Sequence, residues 1–90
     1  MKIREGFQRI KIDGADCVVP VGKRRMDFDG MITLNESGAF IWKCLEKGFD
    51  TEAIVSAILN EYEANWETAT SCVSVFLDKL RVIGCLDDSI

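Results

Sequence analysis

A strand that becomes a helix across one capping residue constrains this chain more than any other feature. Gly30 to Leu45 reads Gly-Met-Ile-Thr-Leu-Asn-Glu-Ser-Gly-Ala-Phe-Ile-Trp-Lys-Cys-Leu. Met31 to Leu34 alternates in apolar character with the period of a strand, and from Ala39 the apolar residues recur at helical intervals. Between them Asn35 is a natural N-cap, because its side-chain oxygen can accept from a first-turn N–H that has no partner inside the helix. Sheet is therefore expected before this stretch and helix after it.

Upstream, Phe7 to Ile12 interleaves β-branched and aromatic residues with charge, and Asp13-Gly14 follows, a pair suited to a type I′ hairpin turn. Cys17 to Val21 is an apolar run that can return antiparallel, with Pro20 at a strand end because it has no N–H to donate. Gly22 to Asp29 reads as a polar connection carrying Arg24-Arg25 to a third strand over residues 31–34. Such a meander leaves an outer strand unpaired on one side, and an open edge is a template for another chain. Two explanations compete for it: an edge protected beside a helix, or a docking site for an extended peptide.

Downstream, helices are expected over about residues 36–47, 51–62 and 67–83. Phe40, Ile41, Cys44 and Leu45 form the buried stripe of the first, with Trp42 at the edge of the core and Gly48 as the C′ residue. Asp50 or Thr51 caps the second, whose apolar positions are Ile54, Val55, Ile58, Leu59 and Tyr62. At about 100° per residue, Ala69, Val73, Phe76, Leu80 and Ile83 of the third helix centre on one line, the expected core face. Cys72, Val75 and Val82, with Lys79 among them, widen that face on one side, while Ser71, Ser74, Asp78 and Arg81 lie opposite. The arc exceeds what packing on one neighbour requires, so either the sheet covers its flank or a groove is left for a partner. Gly84 ends the helix, and Cys85-Leu86 closes the domain before an acidic tail expected to fray.

Ninety residues suit one domain with a modest core, and favour a binding surface over a deep catalytic cavity. Histidine is absent, and Cys17, Cys44, Cys72 and Cys85 are too dispersed for a zinc site, so they read as small buried thiols in a reducing compartment. No nucleophile–base pair and no glycine-rich phosphate loop can be assembled. The expectation is no enzyme, no cofactor and no metal. No apolar run approaches the roughly 18 residues of a membrane span, and no signal peptide opens the chain, so the expected location is the cytoplasm without a membrane partner.

Charge is divided unevenly. Residues 1–25 hold seven basic and three acidic side chains, a net charge of +4, and the remainder carries −8. Arg9, Lys11, Arg24 and Arg25 of the basic part read as a solvated strand face or as a contact for an acidic partner. The order of helices also describes a winged helix-turn-helix, whose last helix would enter a DNA groove. Its acidic surroundings would repel a phosphate backbone, which leaves a DNA-binding regulator as the alternative and no nucleic acid as the expected partner.

At Leu34-Asn35-Glu36-Ser37-Gly38-Ala39-Phe40-Ile41-Trp42 the chain resembles the coenzyme PQQ synthesis protein D (PqqD-like) family, the RiPP recognition elements. The likeness extends through Thr51-Glu52-Ala53-Ile54, Glu61-Tyr62, Phe76-Leu77-Asp78-Lys79-Leu80 and Gly84-Cys85-Leu86. It implies an α+β, winged helix-turn-helix-like fold in which a three-stranded antiparallel sheet precedes three helices. It also implies a partner, the leader segment of a ribosomally made precursor peptide, added as a strand beside the third strand and lying against the third helix. On this chain the implied peptide site is Met31, Ile32, Thr33 and Leu34 with Cys72, Val75, Phe76 and Lys79. Lys79 reads either as a solvated lysine or as the partner of an acidic leader residue. The resemblance further implies a stand-alone, non-catalytic member that presents the peptide to a modifying enzyme, often a radical SAM maturase. A subunit that stabilises an enzyme without touching its substrate is a third reading. A monomer is preferred, although an exposed edge also permits dimerisation.

Overall fold

The computed structural model describes residues 2–22 and 31–87. It is an α+β, winged helix-turn-helix-like arrangement. Strands β1 (Lys2–Ile3), β2 (Phe7–Ile12), β3 (Ala15–Pro20) and β4 (Ile32–Leu34) precede helices α1 (Glu36–Glu46), α2 (Thr51–Glu61) and α3 (Trp66–Ile83), and β5 (Leu86–Asp87) follows. The three-stranded antiparallel sheet has the order β2-β3-β4.

Local chemistry accounts for most element ends. Asp13 and Gly14 adopt φ of 51° and 82°, the positive values that a type I′ turn requires at both central positions. Ile12 and Ala15 therefore pair directly, and β3 starts at Ala15, two residues earlier than the apolar run suggests. Pro20 ends β3 opposite Phe7 at a position whose backbone faces away from β2, so its missing N–H costs the hairpin no bond, and the Val21 N–H beyond it still donates to Gly6 O at 2.8 Å. Asn35, Asp50 and Asn65 cap the three helices, each side-chain oxygen accepting from a backbone N–H three residues on at 2.8 Å. At the far end of α3, the N–H groups of left-handed Gly84 and of Cys85 both donate to Leu80 O at 2.9 Å. That turn sends Cys85 and Leu86 back into the core.

A second, two-stranded sheet pairs Lys2 with Asp87 and Ile3 with Leu86, and was not legible beforehand. Each strand is two residues long, so neither shows periodicity, and their pairing joins opposite ends of the chain. The Arg4 N–H adds a 2.7 Å bond to Cys85 O. This sheet corrects the reading of Trp42. The indole is 1% exposed, well inside the core, because Ile3 and Phe7 pack around the same region as α1.

Helix α1 buries Ala39, Ile41, Trp42, Cys44 and Leu45, and α2 buries Ile54, Val55 and Ile58. Phe40 and Tyr62 meet edge to face, with centroids 5.4 Å apart at 86°, and link the two helices. The core line of α3 is Ala69, Val73, Leu77 and Leu80. Phe76, expected on that line, is half-buried and turned toward one side, and Ile83 is also half-buried. Arg9 is not a solvated cation of the hairpin: it lies 3.3 Å from both Asp16 and Glu46, tying the sheet to the end of α1. The Arg24-Arg25 step and the end of the acidic tail lie outside the described residues.

Candidate functional site

Strand β4 is an outer strand, and among the described residues no strand pairs with its far side. The hairpin register decides which backbone groups face that side. A two-residue turn closes on a hydrogen-bonded pair, here Ile12 and Ala15, and the bonding direction alternates along each strand. Ala15 and Cys17 thus direct their N–H and C=O toward β2, while Asp16 and Val18 direct theirs toward β4. Their partners in β4 are Leu34 and Ile32, and Thr33 stands opposite Cys17. Thr33 therefore turns both of its backbone groups outward.

The side chains of β4 divide in the same way. Leu34 is buried in the core and Ile32 is half-buried against it, whereas Thr33 is exposed. Met31, immediately before the strand, is 51% exposed. Of the four strand residues expected at a peptide site, Met31 and Thr33 thus offer open surface, while Ile32 and Leu34 anchor the strand from behind.

Beyond Asn35 an open groove of about 550 Å³ lies between the start of α1 and α3. Gly38 and Ile41 line it from α1, and Cys72, Val75, Phe76 and Lys79 line it from α3. All four helical residues expected at the site come together here. Phe76 packs closely over Gly38: a Cβ there would lie 3.0 Å from Phe76 Cε1 and 3.0 Å from Asn35 Oδ1, so a larger residue would push the ring or the capping side chain aside by a few tenths of an ångström. The glycine after the cap therefore favours close packing of Phe76 between the two helices.

The groove also includes residues that helical plotting left out. Ser71, expected on the opposite side, lines it together with Thr68 and Glu67 from the first turns of α3. The signal for them is helical spacing: Thr68 lies four residues before Cys72, Ser71 four before Val75 and Glu67 four before Ser71, which carries the stripe back to the start of the helix. Toward the other end, Val75 and Lys79 are shared with a second depression of about 410 Å³ bounded by Val82 and Ile83. Val75 and Val82 are 55% and 88% exposed, so the apolar flank of α3 is uncovered.

Titratable groups near the site are few. Burial pushes the Cys44 thiol above its usual range, partly opposed by Lys47, so it is held in the unreactive thiol form. All four cysteines are free thiols, and Cys72 is half-buried in the groove wall. Among the described residues no cluster of Cys, Asp or Glu converges as a metal site would, and no helix is long and apolar enough to cross a membrane.

None of Met31–Leu34 lines the groove, and Asn35, which follows β4, joins the open edge to it on a small winged-helix-like α+β frame. The chain belongs to the coenzyme PQQ synthesis protein D (PqqD) family, whose model matches residues 24–86. Among solved structures it is similar to TbiB1, determined in complex with the TbiA(beta) leader peptide, with 27% sequence identity and a TM-score of 0.83. That match covers 100% of this chain and 99% of TbiB1. The search of curated proteins returned no match.

Proposed function

We propose that this protein is a RiPP recognition element that binds the leader segment of a ribosomally made precursor peptide and presents it to a modifying enzyme. The observation that carries this reading is the coincidence of two features: outward backbone groups at Thr33 and an open, largely apolar groove that begins two residues further on, at Asn35. Backbone pairing along an edge supplies affinity that tolerates many sequences, and pockets for alternate side chains supply selectivity. The solved relative in complex with a leader peptide supports the same division of labour. In this reading Met31 and Thr33 meet the peptide backbone, Ile32 and Leu34 hold the strand in place, and Cys72, Val75, Phe76 and Lys79 meet its side chains.

The protein itself supplies no chemistry in this account. The modifying enzyme, such as a radical SAM maturase, acts on the peptide held at the edge. The cations of α3 favour this over a DNA-reading role, since Arg81 is 2.9 Å from Asp78 and only Lys79 remains on that helix to meet a phosphate. The test is an NMR titration of labelled protein with leader segments encoded beside its gene. Saturable shifts confined to Met31–Leu34 and the groove face of α3 are expected. Shifts elsewhere, or none with any leader, would overturn the proposal.

A further inference from the structure

The groove carries one charge at each end, and these charges specify more about its occupant than an apolar surface can. Glu67 and Lys79 are both exposed and both line the groove. Neither takes part in an ion pair among the described residues, unlike their neighbours Asp78 and Arg81, which are paired with each other. Between the two charges the wall is Ile41, Cys72, Val75 and Phe76, with the hydroxyls of Thr68 and Ser71 at the rim.

Spacing turns this into a pattern. Glu67 and Lys79 are twelve residues apart on one helix, a separation of about 18 Å at 1.5 Å per residue. A seven-residue extended segment spans about 20 Å between its first and last Cα atoms, and its odd-numbered side chains share one face. The flexible Glu and Lys side chains absorb the remaining difference.

Resting on the reading of this groove as a peptide site, we infer that it selects an extended segment with a basic residue at one end, an acidic residue at the other and two apolar residues between, all at alternate positions. The basic end meets Glu67, the apolar pair fills the wall around Phe76, and the acidic end meets Lys79. A segment with like charges at both ends leaves one of them facing its own sign. Lys79 thereby acts as half of a polarity check, and Glu67 supplies the other half.

The test uses capped synthetic heptapeptides of threonine with Leu and Ile at positions three and five, and with four choices at positions one and seven: Lys with Glu, Gln with Gln, Glu with Glu, and Lys with Lys. NMR titration of the full chain reads affinities even in the millimolar range. The wild type should rank the Lys–Glu peptide first and the other three below it, since each matched end strengthens binding roughly two- to fivefold at low salt and a like-charged peptide loses at one end about what it gains at the other. Glu67→Lys should move the Glu–Glu peptide to first place, and Lys79→Glu the Lys–Lys peptide. The differences should shrink in 0.5 M salt.

A ranking that follows peptide net charge in all three proteins, an equal affinity for all four peptides, or no binding by any of them would overturn the inference. Leader segments encoded beside the gene, run in parallel, separate the two levels. Their saturable binding at Met31–Leu34 would keep the recognition reading even with the polarity pattern lost, and their failure would remove both.

Discussion

Replacing Thr33 by proline acts on one side of β4 and spares the other. The register turns the Thr33 N–H away from β3, so Thr33→Pro deletes no bond of the β3–β4 ladder. Proline is tolerated on a sheet edge whose N–H faces away from the sheet, and stability should change by about 1 kcal/mol or less. Peptide binding has more to lose. The edge forfeits a donor with a net worth of about 0.5–1.5 kcal/mol, and the ring obstructs the approaching strand. A total of about 1–2 kcal/mol corresponds to a Kd roughly five- to thirtyfold weaker.

Ile32→Pro is the contrasting variant. Its N–H faces Val18, so proline breaks a ladder bond and leaves a carbonyl without a donor, at a cost of about 1–3 kcal/mol, before the lost isoleucine packing is counted. Urea denaturation gives the stability of each variant, and leader binding by calorimetry or NMR gives the affinity. Thr33→Pro should be stable and binding-impaired, and Ile32→Pro should be unstable. A folded Thr33→Pro with unchanged affinity would refute the assignment of this edge as the site of strand addition.

Other changes probe the groove and its supports. Phe76→Ala removes a half-buried ring and should cost about 1.5–2.5 kcal/mol, against about 3–5 for the fully buried Trp42→Ala, while weakening peptide binding more than Trp42→Ala does in whatever fraction remains folded. Asn35→Ala removes the acceptor for the Gly38 N–H and should cost about 1 kcal/mol, lowering Tm by roughly 4–8 °C in a domain of this size. The Tyr62 phenol is held above its ordinary value of 10.0 by burial first, then by the negative charges of Glu36 and Glu61. The folded state therefore keeps that proton longer than the unfolded state. Its contribution to stability is complete below about pH 10 and is lost as pH rises through the higher folded-state value. Thermal melts from pH 8 to 11 should fall more steeply for the wild type than for Tyr62→Phe, and parallel slopes would count against this account.

Several features were legible because they rest on short-range chemistry. Asn35, Gly48 and Gly84 marked helix ends through capping, Asp13-Gly14 marked the hairpin, and the apolar spacing of α2 marked its buried face. Cys72, Val75, Phe76 and Lys79 could be grouped because a helix places residues three and four apart on one side. The errors had a different origin. Trp42 looked peripheral on its own helix and is buried because β1, from the other end of the chain, packs beside it. Phe76 and Leu77 are adjacent and both apolar, and Leu77 is the one that turns inward, because the neighbouring elements decide which of two such side chains the core takes.

By itself the sequence determined the longer elements, their caps, the hairpin turn and the helical stripe, all of which depend on residues within about seven positions of one another. Only the tertiary structure decided that β1 and β5 pair, that Thr33 rather than Ile32 offers its backbone to the outside, and that Gly38 admits Phe76 to form the groove floor. These features depend on bonding parity carried across three strands and on contacts between residues from 38 to 85 positions apart. Side-chain period repeats within a segment and can be read from it, whereas the distance between segments exists only after the chain has folded.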